Sequence, residues 1–421
     1  MSLVEHPLSV AIACGGTGGH LFPGMAVASQ LVARGASVTL MISPKEVDQQ
    51  AVKAAEGMKI VTLPAIGLTR GHMAAFLRGF RESYNLARRC FSERRPRAVL
   101  AMGGFTSAPP LLAARGFQAP TFLHESNTVP GRANRWLSWI VEQAFVGFPS
   151  AANRLHTRRV KLTGTPVRPS FAQLDPHACR TALGLDPARP IALVMGGSQG
   201  ANAINELVIR ALPFLADSGP DWQWIHLAGA TDVEKVKHAY QAHGLAASVY
   251  SFFSKMELAM GAATAAISRA GASSLAEIAA VRLPAVLIPF PAATDNHQFH
   301  NARAFEQTGA ARLLEQRTAR PEDLSRALGE LIHEQAVRQK MQASLANWHK
   351  PDAAEAIAQT ILEKVEMPVN SFRPGLPERD DARRNHPPAE SSEKRPRLVT
   401  HDHFNQRNSP ARHRGEVLMY D

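Results

Sequence analysis

Cys14 to Gly24 reads CGGTGGHLFPG, five glycines and one histidine between two apolar runs. Glycines placed directly after a strand let backbone N–H groups approach a ligand, and a following helix N-terminus adds partial positive charge. The natural guest of such a loop is a phosphate. The dinucleotide fingerprint fails, because counting from Gly16 and Gly18 the third glycine falls on Leu21, and no Gly-Lys-Ser/Thr closes the loop as a P-loop requires. A second loop, MGGSQGA, opens the other half of the chain, and a third, AMGGFTSAP, carries Gly103 and Gly104. One such loop alone is as well explained by a tight turn. Two, one in each half, are better explained by phosphate groups held across a cleft. His20 titrates near neutrality, which suits a proton acceptor, but also a neighbour that merely hydrogen-bonds a phosphate or the loop.

These loops need strands and helices to aim them. LSVAIA (Leu8 to Ala13) reads as a buried strand, GMAVASQLVARG as a helix ending at Gly35, and SVTLMI as the next strand. RAVLAMGGFTSAP repeats the motion, and PTFLHESN is a short strand ending in polar residues. After LTGTPVRPSF the pattern restarts with PIALVMGGSQGANAINELVIRAL, and WQWIHLAG, AAISRAG and LPAVLIPFP read as later strand ends. The alternation predicts an α/β chain of two doubly wound domains, parallel sheets covered by helices, with a cleft between them. The expected divisions are 1–165, 166–366 and a basic tail, 367–421, whose Pro, Arg, Glu and Ser content reads as disordered.

A chain of 421 residues exceeds one ordinary core, and its formal net charge of +11 favours an anionic partner. Cys14, Cys90 and Cys179 show no CxxC spacing, so neither a disulfide framework nor a zinc site is readable, and a reducing cytoplasm fits. The opening MSLVEHPLSV lacks the basic and apolar regions of a signal peptide, and no stretch approaches the roughly 20 apolar residues of a membrane span. Any membrane contact is expected to be peripheral. Thr69 to Arg97 carries eight arginines against Glu82 and Glu93, with Met73, Phe76, Leu77 and Phe80 at helical spacing. That pattern suits a helix lying on an anionic bilayer and equally an amphipathic helix packed on a sheet.

Taken together, GGTGGHLFPG, AMGGFTSAP, HESNTVPG, TGTPVR, MGGSQGA, SRAGASSLAEIAAVRLPAVLIPFP and DNHQFHNA stand in the order and spacing of the MurG family. These are the undecaprenyldiphospho-muramoylpentapeptide N-acetylglucosaminyltransferases of peptidoglycan synthesis, and the chain resembles them from about Ser9 to about Lys364. The resemblance implies a GT-B fold, two Rossmann-like domains facing across a cleft. It implies an inverting transfer of N-acetylglucosamine from UDP-N-acetylglucosamine to the 4-hydroxyl of the muramoyl sugar of lipid I, giving lipid II and UDP. It also implies docking to the anionic cytoplasmic face of the inner membrane, which favours the bilayer reading of Met73, Phe76, Leu77 and Phe80. Other cell-wall synthesis proteins are further candidate partners.

By the same resemblance His20 is a candidate general base and Glu125 its rival. Thr17, Gly18, Gly19 and Asn127 belong to the donor site, with Asn127 over the sugar, while Gly103 and Gly104 face the acceptor diphosphate. Arg168 and Ser198 lie near the UDP moiety, Phe253 borders the uracil, and Gln298 reads sugar hydroxyls with Asp295 as a lesser candidate. Ala272, Ser273, Ser274, Leu275 and Ala276 open a helix against the diphosphate or sugar, and Glu277 accepts both ribose hydroxyls. Thr165 departs from the family's usual Asn and puts the local turn in doubt. No Asp-x-Asp pair occurs, and the family's mechanism needs no metal, so no metal ligand and no cofactor are expected. Other GT-B enzymes, a glycolipid glycosyltransferase or a UDP-N-acetylglucosamine epimerase, share the diphosphate site but not the GGTGGH and HESN set. A basic nucleic-acid-binding protein is disfavoured, because the arginines cluster beside an apolar face and no nucleic-acid module is recognisable.

Overall fold

SVAIA and IALVM are apolar or small throughout, as strands covered on both faces must be. They form β1 (Ser9–Ala13) and β8 (Ile191–Met195), buried at every position. The computed structural model describes residues 8–52, 55–67, 72–172, 174–197 and 202–366; the expected disordered tail, Ser198 and the 69–71 start of the basic segment lie outside them.

Two parallel sheets organise these residues. The first adds β2 (Ser37–Ile42), β3 (Lys59–Thr62), β4 (Ala98–Ala101), β5 (Thr121–Glu125), β6 (Gln143–Val146) and β7 (Val160–Leu162), in the order β3-β2-β1-β4-β5-β6-β7. The second adds β9 (Gln223–Leu227), β10 (Ala246–Tyr250), β11 (Ala265–Ser268), β12 (Ala285–Leu287) and β13 (Arg312–Leu313), in the order β10-β9-β8-β11-β12-β13. In both, strand order reverses beside the first strand, between β1 and β4 and between β8 and β11. Connections leave these pairs in opposite directions, which opens a crevice at their carboxyl ends where ligands of doubly wound sheets sit. All three glycine loops of the sequence, and the SRAG turn after β11, emerge there.

Two expectations are corrected. The first helix runs Gly18–Ala33 rather than starting at Gly24, so His20 lies in its first turn and not at the end of a loop. The left-handed step the turn requires falls on Gly16 (φ 109°), which frees Gly18 and Gly19 to be helical. The second domain also does not keep the whole of 166–366. Helix Ala353–Glu366 returns to the first domain, where Ile357, Ala358 and Ile361 join Val10, Leu31 and Leu40 in one core. Its polar face is tied there by Arg34–Glu355 (2.6 Å) and Lys161–Thr360 (3.1 Å).

Candidate active site in the interdomain cleft

The first wall of the cleft is built around His20. Asp48, fully buried, accepts from the Gly16 N–H at 2.7 Å and from the Ser43 N–H and hydroxyl at 3.2 and 2.5 Å. Lys45 Nζ donates to the Gly16 carbonyl at 2.8 Å, and Thr106 Oγ1 to the Gly15 carbonyl at 2.7 Å. The groups at Gly15 and Gly16 are therefore used by the protein itself, and that part of the loop is a scaffold more than a phosphate cradle. What it carries is the imidazole. Gly103 (φ 111°) and Gly104 (φ 77°) lie flat against the ring, and a Cβ on Gly103 would stand 2.8 Å from His20 Cε1. Only glycine satisfies both the backbone angle and the contact. Burial holds the His20 pKa below its ordinary value, partly offset by the Glu125 carboxylate and then by the Met102 carbonyl facing the ring. His20 Nδ1 is buried without a hydrogen-bond partner.

Glu125 ends β5 and is 2 % exposed. Oε1 accepts from the Asn127 N–H (2.8 Å) and Nδ2 (3.0 Å), while Oε2 accepts from the Gly131 N–H (3.0 Å) and Asn134 Nδ2 (2.8 Å). All four lone-pair positions of the carboxylate are occupied. Its neighbour His124 bridges the Gly164 carbonyl (3.0 Å) and Ser126 (3.2 Å), and burial depresses its pKa to about 4. The turn at Thr165 is thus anchored to β5 through Gly164.

The opposite wall comes from the second domain. Helix Ala272–Ala280 begins at the cleft, with Ala272, Ser273, Ser274 and Glu277 lining it. The helix period turns Leu275 into the core, fully buried, and Ala276 towards a separate small cavity with Phe305 and Trp348. Those two side chains are not brought to the site, and the Leu275 N–H is spent on the Gly271 carbonyl. Glu277 pairs with Arg168 at 3.4 Å, and burial raises its pKa to about 7 against the opposing Arg168 charge. The Arg168 guanidinium stacks on Phe22 (4.4 Å) and Phe171 (4.9 Å), and its Nε is buried without a hydrogen bond. Phe253 and Gln298 line the same cleft; Gln298 is oriented by the Phe290 N–H, which donates to its Oε1 at 3.0 Å. The Asp295 carboxylate is taken by Arg135 (2.8 Å) and Arg132 (3.8 Å), so it lies in an ion-pair cluster at the rim.

The cleft between these walls has a volume of about 1520 Å³ and reaches from Thr17, Gly18, Gly19 and Asn127 to Phe253. Its mouth is apolar. Phe76, Leu77, Phe80 and Trp136 line it, and Met73 lies beyond, 54 % exposed. Helix Met73–Glu93 buries Gly79, Ser83, Ala87 and Phe91, a stripe at four-residue spacing, and leaves Met73 and Leu77 exposed beside half-buried Phe76 and Phe80. Among the described residues no helix is long and apolar enough to cross a membrane, and no group of three or more His, Cys, Asp or Glu could hold a metal ion.

Three residues that brace the cleft walls escape the sequence reading: Asp48, Asn134 and Asn301. Asn301 stands within the quoted DNHQFHNA, yet a mid-helix Asn reads as a solvated position. Asp48 and Asn134 sit in unremarkable polar stretches, and only the fold brings them to Gly16 and Glu125.

Residues 10–146 match the glycosyltransferase family 28 N-terminal domain, and residues 191–357 its C-terminal domain. The chain is 36% identical over 368 residues to the UDP-N-acetylglucosamine--N-acetylmuramyl-(pentapeptide) pyrophosphoryl-undecaprenol N-acetylglucosamine transferase of Anaeromyxobacter dehalogenans, covering 85% of this chain and 93% of that one. It is 36% identical over 370 residues to the protein of the same name from Xylella fastidiosa, covering 86% and 98%. Among solved structures, Acinetobacter baumannii MurG superposes with a TM-score of 0.68 at 28% identity, over 85% of this chain and 100% of that one. A putative UDP-N-acetylglucosamine 2-epimerase from Listeria monocytogenes, with a TM-score of 0.64 at 14% identity over 86% and 97%, shares the fold alone. With its two GT-B domains and this similarity along most of its length, the chain belongs to the MurG family of glycosyltransferases.

Proposed function

We propose that the cleft transfers N-acetylglucosamine from UDP-N-acetylglucosamine to the muramoyl 4-hydroxyl of lipid I with His20 as general base. The hydroxyl oxygen attacks the anomeric carbon from the face opposite UDP. The new C–O bond forms as the bond to the β-phosphate oxygen breaks, so configuration inverts, the proton passes to His20, and UDP leaves with the bonding pair.

The observation that carries this reading is the half-buried imidazole packed on Gly103 and Gly104 at the cleft wall. Its lowered pKa leaves it neutral at pH 7, as a base must be. A neutral imidazole keeps one ring nitrogen with a lone pair that can accept the hydroxyl proton. Glu125 is a poor rival, since both its oxygens are saturated by the loop it holds. Its role is to position Asn127, whose amide serves the donor sugar.

On the leaving-group side, Arg168 and the N-terminus of the helix Ala272–Ala280 supply positive charge to the diphosphate without a metal. Glu277 accepts the ribose hydroxyls, Phe253 borders the base, and Gln298 reads the sugar. Ser198 extends this set from the second glycine loop. The apolar face formed by exposed Met73 and Leu77 with half-buried Phe76 and Phe80, flanked by arginines, supports peripheral docking to the anionic cytoplasmic face of the inner membrane. A lipid-linked acceptor would then enter at the apolar mouth without leaving the bilayer.

Replacing His20 with Ala tests the assignment. Turnover should fall by roughly 10²–10⁴ while UDP-N-acetylglucosamine affinity holds; unchanged turnover sinks it.

A further inference from the structure

One carboxamide ties the two domains together behind the cleft. Asn301, in helix His297–Gln307, is 0% exposed. Its Oδ1 accepts from the Thr128 N–H and hydroxyl, each at 2.9 Å; its Nδ2 donates to Asn127 Oδ1 at 3.0 Å and to the Ala270 carbonyl at 3.1 Å. Two donated and two accepted bonds use the amide in full, and the reversed amide would set like against like at three of the four contacts, the Thr128 hydroxyl alone being able to accept as well as donate. The partners matter more than their number. Asn127 and Thr128 belong to the first-domain loop that Glu125 fixes, whereas Ala270 lies in the turn leading from β11 into the Ala272–Ala280 helix. The helix that carries Asn301 starts from a backbone few residues adopt, with Asp295 and Asn296 both left-handed (φ 51° and 52°). Asp295 there grips Arg135 of the first domain.

We propose that Asn301 is a positioning residue for glycosyl transfer. It sets the Asn127 amide of one domain in register with the diphosphate helix of the other, so that the donor sugar is held between them at the angle attack requires. The inference rests on the transfer reaction and not on which group is the base.

Kinetics of Asn301→Ala and Asn301→Asp, with UDP-N-acetylglucosamine and a soluble lipid I analogue, test it. The carboxylate of the second variant would face the Ala270 carbonyl and Asn127 Oδ1 with no proton to donate. The donor KM should rise and kcat fall, each by about tenfold, while inhibition by UDP, whose base and ribose contacts stay within the second domain, shifts less than about twofold. Hydrogen exchange should quicken together at 126–131 and 270–274, with the two sheets unchanged. Donor KM and kcat within about twofold of wild type overturn the proposal, and so does an equal loss of UDP affinity, which marks a packing role only. Should neither variant fold, Thr128→Val, which deletes only the hydroxyl bond, carries the test: a raised donor KM with unchanged UDP inhibition supports it, and wild-type kinetics overturn it. Transfer by the wild-type chain separates this outcome from failure of the functional assignment.

Discussion

The proposed base, His20, packs on two residues with no side chain. Because a Cβ on Gly103 would meet Cε1 at 2.8 Å and φ there is 111°, Gly103→Ala must displace the imidazole. It should cost turnover on the scale of His20→Ala, roughly 10²-fold or more, with donor binding by titration calorimetry intact. The pH profile has a fixed sign. The proposed base is active when neutral, so its protonation should lower activity as pH drops through a value below 6.5, the ordinary histidine pKa. Glu277 predicts a second dependence. Burial raises its pKa to about 7, and the ionised carboxylate is the stronger acceptor for the two ribose hydroxyls it is proposed to hold, so UDP affinity should weaken as pH falls from 8 to 6, by up to about tenfold per unit. Glu277→Gln should flatten that slope; an unchanged slope places the titrating group elsewhere.

Among the elements, helix Met73–Glu93 has two apolar stripes with different work. The Gly79, Ser83, Ala87, Phe91 stripe packs inward, and the Phe76, Leu77, Phe80 stripe lines the cleft mouth. Phe76→Ser with Phe80→Ser should reduce binding to anionic vesicles several-fold by sedimentation, leaving transfer to a short-chain soluble acceptor within about threefold. Unaltered vesicle binding assigns the membrane patch to another surface. Much of this layer was legible in the sequence, since all-apolar runs such as SVAIA and IALVM admit few alternatives to buried parallel strands. The helix start at Gly18 was not, because glycines before a proline read as loop while the left-handed burden falls on Gly16 alone. Nor was the return of helix Ala353–Glu366 to the first domain, as an apolar stripe does not say which core it will join. At the site, glycines and charged motifs were readable from residue type and spacing. Asp48, Asn134 and Asn301 act through partners 9 to 174 positions away, which spacing cannot reveal.

The whole molecule should be acid-sensitive. His124 at about 4, His226 at about 3 and His20, lowered by burial, remain neutral in the folded chain at pH values where unfolded histidines bind protons. Below 6.5 the unfolded chain therefore binds more protons, and stability falls with pH by about 1.4 kcal/mol per unit for each uncompensated histidine. Glu277 opposes one of them, being protonated when folded and ionised when unfolded between 4.5 and about 7. Urea unfolding at pH 7.5, 6.0 and 5.0 should show the decline, and a flat profile contradicts it. Incubated with UDP-N-acetylglucosamine and a lipid I analogue, the intact chain should release UDP and β-linked disaccharide in equal amounts, and its His20→Ala variant should bind the donor normally yet turn over roughly 10²–10⁴ times more slowly. No disaccharide from the wild-type chain, or undiminished turnover by the variant, would contradict the proposed transfer with His20 as base.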